Sequence, residues 1–344
     1  MSLDITGRYR YPAPNAAWLA QHAEPVIDPD LPIIDPHHHI WEEPGNPYLL
    51  DDLTADLSTG HRIEATVFVQ AHFGYRNEGP EELRCVGETE RVVALAEESA
   101  RRGFATEICA GIVGYANMLL GSGVAAVLDA HDEAGSGRFR GVRHSVSRDS
   151  NFPDGIVLRP APAGLLGETA FREGLATVAR NGLSYDCMCY HQQIPEVSAM
   201  ARAIPDLSIV LDHYGTVLGV GPYASTREET FAAWRRDLAE LAACPNVSIK
   251  LGGMGMIICG PTWHEQPTPP DSATLAEAWR PYFETSVELF GADRCMFESN
   301  FPVDKAMYSY PVLWNAFKRL AAGASAAEKA SLFRNTAARV YRLG

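Results

Sequence analysis

The stretch Ile33-Ile34-Asp35-Pro36-His37-His38-His39-Ile40-Trp41 sets a carboxylate and three imidazoles directly behind two apolar residues. Side chains alternate between the two faces of a strand, so Asp35, His37 and His39 are expected on one face and His38 on the other. Two imidazoles on one face can reach a single ion or a single substrate oxygen. Neutral imidazole is a ligand for zinc, iron, nickel or manganese-type sites. A solvated histidine run at a strand end is the competing reading, and the pattern alone does not separate the two.

What positions these residues is read from hydrophobic periodicity. Short β-branched or apolar runs mark strands near 33–39, 64–71, 108–113, 139–146, 183–190, 207–213, 247–251 and 295–300. Segments with helical spacing separate most of them, including 80–102, 124–131, 171–180, 195–203, 226–243 and 275–290, and two more near 310–321 and 326–343 close the chain. Continuous apolar strands between helices imply a parallel sheet covered on its outer side. Eight such repeats over 344 residues predict an α/β fold, a single-domain (β/α)8 TIM barrel over 32–344. An open doubly wound sheet would carry a glycine fingerprint after its first strand, and here histidines stand there instead. Residues 1–31 read as an N-terminal arm whose aromatic anchors Tyr9, Tyr11 and Trp18 are expected to pack across the barrel floor or against a partner subunit. The loops at 147–167 and 259–271 read as lids on one face.

Chemistry on such a barrel sits at the C-terminal ends of the strands. Those ends carry His37 and His39, then His72, Arg143 with His144, His191, His213, Lys250 and Asn300. Histidines at several strand ends converge on one pocket, which favours a site over a surface accident. Arg143 and His144 alternate, so at most one of them points inward, and Arg143 is the expected one. A guanidinium there can grip a substrate carboxylate in bidentate fashion, or pair with Glu298, Asp35 or Asp186. Glu298 stands two residues before Asn300, on the same expected face; its structural alternative is a buried salt bridge to Lys250 or Arg143. His72, His191, Lys250 and Tyr48 are further candidates for substrate contact.

The net charge of −14 argues against nucleic acid and anionic membranes as partners. Seven scattered cysteines without a CxxC pair fit a reducing compartment. No run approaches a membrane span and 1–32 lacks an apolar signal core, so a soluble, cytoplasmic protein acting on a small molecule is expected. The aromatic arm also suits a homodimer.

The arrangement resembles the amidohydrolase superfamily, in particular its branch of barrel hydrolases containing sugar-lactonases and 2-pyrone-4,6-dicarboxylate lactonase. The carrying motifs are Ile-Asp-Pro-His-His-His-Ile-Trp at 34–41, Gly-Val-Arg-His at 141–144, Val-Leu-Asp-His-Tyr-Gly at 210–215, Val-Ser-Ile-Lys-Leu-Gly-Gly at 247–253 and Arg-Cys-Met-Phe-Glu-Ser-Asn-Phe-Pro at 294–302. The resemblance implies that His37 and His39 are the strand-1 pair and that His213 ligates metal or polarises the substrate carbonyl. It also implies that Asn300 stands where the family has the aspartate that deprotonates the attacking water. An amide cannot take that proton and is a poorer metal ligand than a carboxylate. Glu298, Asp304 or a histidine is therefore the expected base. A divalent metal such as zinc or manganese on His37, His39 and His213 is expected to be weakly held or absent. The expected reaction is hydrolysis of a lactone or related cyclic ester, with or without a carboxylate. The alternatives are a metal-dependent decarboxylase of an aromatic or unsaturated carboxylic acid and a barrel that only binds its ligand.

Overall fold

A computed structural model describes residues 12–151 and 160–344. Eight strands form one parallel sheet in sequence order: β1 Ile33–His38, β2 Ile63–Val69, β3 Glu107–Gly114, β4 Phe139–Arg143, β5 Ser184–Cys187, β6 Ser208–Leu211, β7 Val247–Leu251 and β8 Cys295–Phe297. The barrel closes just beyond the regular ladder. His38 bridges Phe301 in parallel, the His39 amide donates to the Phe301 carbonyl at 2.7 Å, and the Asn300 amide donates to the His37 carbonyl at 2.9 Å. The seam of the barrel thus runs through the segments that carry the histidine pair and Asn300.

Two apolar layers hold the sheet. Inside, Ile34, Val67, Val69, Val113, Val210 and Met296 meet Ala337, Val340 and Tyr341 from the chain end. Outside, the strands' other face packs on the helices, for example through Val86, Val92, Val93 and Ala96 of the helix Val86–Arg101. Each fully buried aliphatic or aromatic side chain contributes about 1.5–3 kcal/mol.

Among the described residues the floor is closed by the C-terminal segment. The described part of the arm runs along the helix Tyr310–Leu320. Asn315 accepts from the Ile27 amide at 2.8 Å and donates to Glu24 at 2.8 Å, while Lys318 caps the carbonyls of Ile27 and Asp28 at 2.8 and 2.7 Å. Trp18 reaches the 259–271 loop, its indole N–H donating to the Gln266 carbonyl at 2.9 Å. Tyr9 and Tyr11, and residues 152–159 of the expected lid, lie outside the described residues.

Four strands end earlier than their apolar runs suggest, at Arg143, Cys187, Leu211 and Phe297. The polar residues that follow sit on irregular backbone. His72, His213 and Asn300 adopt positive φ angles of 61°, 54° and 54°. Non-glycine residues pay for this left-handed conformation, and it recurs where side chains are aimed at a site. Among the described residues no helix is long and apolar enough to cross a membrane.

Candidate active site

The first strand does not alternate as its sequence suggests. Ile34 faces the barrel interior, whereas Asp35 turns outward, accepting from the Ser299 amide and the Tyr310 hydroxyl, each at 3.0 Å. The pairing with β2 shifts between Asp35 and His38. Pro36 has no N–H for the ladder, and the extra residue of a bulge moves the pleat by one. His37 and His39 therefore share the inner face without Asp35. His38 lies on the outer side, 2.9 Å from the Thr66 hydroxyl.

His37 and His39 meet through their Nε2 atoms at 3.2 Å. His39 Nδ1 lies 2.7 Å from the Val69 carbonyl, so it carries the proton and leaves Nε2 with the lone pair. Burial, with His37 and Arg143 nearby, holds the His39 pKa well below the ordinary imidazole value, so the ring is neutral. His37 sits deeper, and each of its nitrogens faces a cationic donor. Lys250 Nζ is 3.0 Å from Nδ1 and Arg143 Nη1 is 3.3 Å from Nε2.

Beneath His37 is a buried ionic layer. Lys250 donates to Asp186 Oδ2 at 2.6 Å and lies 3.1 Å from Asp212 Oδ1. The Tyr341 hydroxyl donates to the same Asp186 oxygen at 2.6 Å. Burial alone would lower the Lys250 pKa, but Asp186, Asp212 and Glu298 outweigh it and hold the ammonium charged. Asp212 is held well below the usual carboxylate range despite its burial, chiefly by Lys250 and His37.

Glu298 links the two halves of the site. Its Oε1 accepts from His213 Nδ1 at 2.7 Å, and its Oε2 lies 2.9 Å from His37 Nδ1 without the geometry of a hydrogen bond. Burial would raise the Glu298 pKa, yet His213 and His37 bring it down to about 2. The His213 pKa moves up correspondingly: desolvation opposes it and the Glu298 carboxylate overrides it. The expected salt bridges from Glu298 to Lys250 or Arg143 are not formed, because Lys250 pairs with Asp186 and Asp212, and Arg143 approaches Asp212 at 3.6 Å. Strand spacing could not distinguish these partners, since pairing across a barrel depends on its stagger.

Asn300 and Asp304 form a second unit. The Asn300 amide donates to Asp304 Oδ1 at 2.9 Å, and Asp304 Oδ2 accepts from the Tyr308 hydroxyl at 2.5 Å and the Gly255 amide at 2.9 Å. Burial raises the Asp304 pKa to about 6. With both oxygens engaged and no solvent exposure, Asp304 is placed to brace the segment 253–256 rather than to receive a proton from water.

Glycine at 253 is required by this packing. Its φ is +73°, and a Cβ there would lie within 2.6 Å of His213 Cγ. Gly253→Ala is expected to push the His213 ring off Glu298 and to lower turnover more than about tenfold, at a stability cost of about 1–3 kcal/mol. Parallel kcat and thermal-melting measurements check it.

The remaining candidates divide. Arg143 reaches the site and donates to the Gln70 carbonyl at 2.5 Å, while its buried Nε–H has no partner in the protein. His144 points outward, accepting from the Met118 amide and packing on Phe171. His191 packs on Tyr223 and accepts from the Leu218 amide at 3.3 Å. His72 contacts Tyr75 and Tyr115. The Tyr48 hydroxyl donates to Asp56 at 2.7 Å, with Lys305 over its ring. Asp212, Asp186 and Tyr341 belong to the site without standing out as site residues in the sequence. The available signal was charge inside apolar strands: Asp186 and Lys250 sit at mid-strand and Asp212 directly precedes His213.

The donor set is unfavourable to a divalent metal. His37 has one lone pair, and a cationic donor faces each of its nitrogens. His39 offers only Nε2, which is spent on His37. The strand-8 position presents an amide already turned to Asp304. His37, Asp212 and His213 do bring one donor atom each within 4.8 Å of one another, but the Lys250 ammonium contacts two of the three. A dication beside that ammonium and the Arg143 guanidinium would be repelled by both. The residues as arranged do not fit a resident metal.

The amidohydrolase family model matches residues 34–343. An uncharacterised protein of Sinorhizobium fredii, y4mH, is 32% identical over 336 residues, spanning 91% of this chain and 99% of its own. An L-fucono-1,5-lactonase of Burkholderia multivorans is 26% identical over 327 residues, spanning 90% and 96%. A crystal structure of an amidohydrolase from Burkholderia multivorans with bound zinc superposes with a TM-score of 0.68 at 25% identity, covering 91% of this chain and 99% of that one.

Proposed function

This chain belongs to the amidohydrolase family, and on that premise we propose that it hydrolyses a lactone or related cyclic ester, carboxylated ones included. The observation that carries the reading is the Glu298–His213 pair, 2.7 Å apart. Glu298 fixes the proton on His213 Nδ1, so Nε2 is left to accept one, as in other carboxylate-backed catalytic histidines. That supplies the base which Asn300 cannot. The lactonase relative supports ring-ester chemistry.

In the proposed reaction His213 Nε2 takes a proton from water as the oxygen attacks the ester carbonyl. Arg143, with its unpartnered Nε–H, donates to the oxyanion that forms. Such preorganised donors act strongly where water is excluded. The tetrahedral intermediate then breaks its ring C–O bond, and the His213 imidazolium returns the proton to the leaving alkoxide. The product is a hydroxy acid.

Proton release from a panel of five- and six-membered lactones, with and without a carboxylate, tests the proposal against carbon dioxide release from aromatic acids. Lactone opening supports it; decarboxylation alone, or binding without turnover, counts against it. The pH profile is a second check. The base must be unprotonated, and Glu298 holds the proton on His213 more tightly than an ordinary imidazole would. kcat/KM is thus expected to rise with pH through an apparent pKa higher than that of an ordinary imidazole. In Glu298→Gln that limb should move to lower pH, because burial then dominates.

A further inference from the structure

The disagreement between the metal-binding relative and this donor set has a specific cause. His37, Asp212 and His213 are fully buried and mutually close, yet a cation already sits against two of them, His37 and Asp212. Lys250 Nζ lies 3.0 Å from His37 Nδ1, 3.1 Å from Asp212 Oδ1 and 2.6 Å from Asp186 Oδ2. Both Asp212 oxygens receive no directed hydrogen bond, only ionic contacts from Lys250, from His37 at 3.5 Å and from Arg143 at 3.6 Å. Directionless contact of this kind is what a carboxylate makes when a charge, and not a donor geometry, holds it.

We infer that Lys250 is a tethered cation standing where a divalent metal would otherwise sit, and that removing its charge turns His37, Asp212 and His213 into a zinc site. Two imidazoles and a carboxylate are ordinary zinc ligands. The chain end fixes the substitution. Tyr341 donates to Asp186, and its ring lies 5.4 Å from Nζ, so the segment that plugs the barrel floor also sets the height of the ammonium. Lys250 does not reach the mouth; it is a positioning residue, orienting His37 and neutralising Asp212. The inference concerns metal occupancy and so stands or falls independently of the lactone reading.

The test is zinc retention by the full chain. Wild-type protein, Lys250→Met, and the charge-balanced pair Lys250→Met with Asp186→Asn are loaded with zinc and dialysed. Metal content is measured by mass spectrometry, and melting is recorded with and without zinc. Wild type is expected to retain no stoichiometric zinc. Lys250→Met is expected to retain one zinc per chain, bound at least about a hundredfold more tightly than by wild type, and to melt higher with zinc than without. Adding His213→Ala should abolish that uptake. If the single variant does not fold because Asp186 and Asp212 lose their counter-ion, the charge-balanced variant gives the same reading. Stoichiometric zinc in wild type, or no uptake by either variant, overturns the inference.

Discussion

Replacing His213 by glutamine is expected to lower kcat/KM for lactone opening by about 10²–10⁴-fold, the range a positioned general base supplies. His213 is the imidazole whose Nδ1 is fixed by a carboxylate, at 2.7 Å from Glu298, and whose pKa is moved upward by it. Glutamine keeps an N–H for Glu298 but offers no basic nitrogen. The loss should fall on kcat, with thermal melting showing only about 1–3 kcal/mol of destabilisation from the altered buried pair. A variant that keeps wild-type kcat would remove His213 from the base position.

The second large effect is expected at Arg143. Arg143→Lys preserves the charge, yet an ammonium is a point donor that cannot reproduce a guanidinium fork. In the native arrangement the fork simultaneously contacts the Gln70 carbonyl at 2.5 Å, approaches Asp212 at 3.6 Å and leaves Nε–H for a substrate oxygen. Lysine can fill the ionic part of that role and not the rest. kcat/KM is expected to fall by about 10²–10³-fold, the usual consequence of losing one oxyanion donor. If carboxylated lactones lose more than uncharged ones, Arg143 also grips the carboxylate. Equal rates for Arg143→Lys and wild type would move the oxyanion donor elsewhere.

The order of elements was legible in the sequence because eight apolar runs alternate with helical spacing, and a parallel barrel is what such a pattern folds into. Alternation showed that Arg143 and His144 could not both point inward, and the side chains put Arg143 against His37 and His144 against Phe171. Asp35 was misplaced because Pro36 introduces a bulge, and a one-residue shift reverses every face beyond it. The partners of Lys250 were hidden for another reason. Asp186 and Asp212 lie 64 and 38 positions away along the chain, and only the stagger of the barrel brings them to one height. The closing segment was hidden too. The run 326–343 reads as one helix; it is helical over 326–340 with a π-helical middle at Ser331–Asn335, and it ends at Val340, which leaves Tyr341 in the floor. Asn300 at the end of the last strand was legible as an amide, but its hydrogen bond to Asp304 and the contact between Glu298 and His213 became visible only with the side chains placed.

In the proposed reaction the chain's own histidine, glutamate and arginine open a lactone ring without a bound divalent metal. Proton release from a lactone by chelator-dialysed protein tests it most directly. Steady ring opening at the same rate before and after chelation is expected, with no gain from added zinc or manganese. Absence of turnover after chelation, restored by either metal, would contradict it.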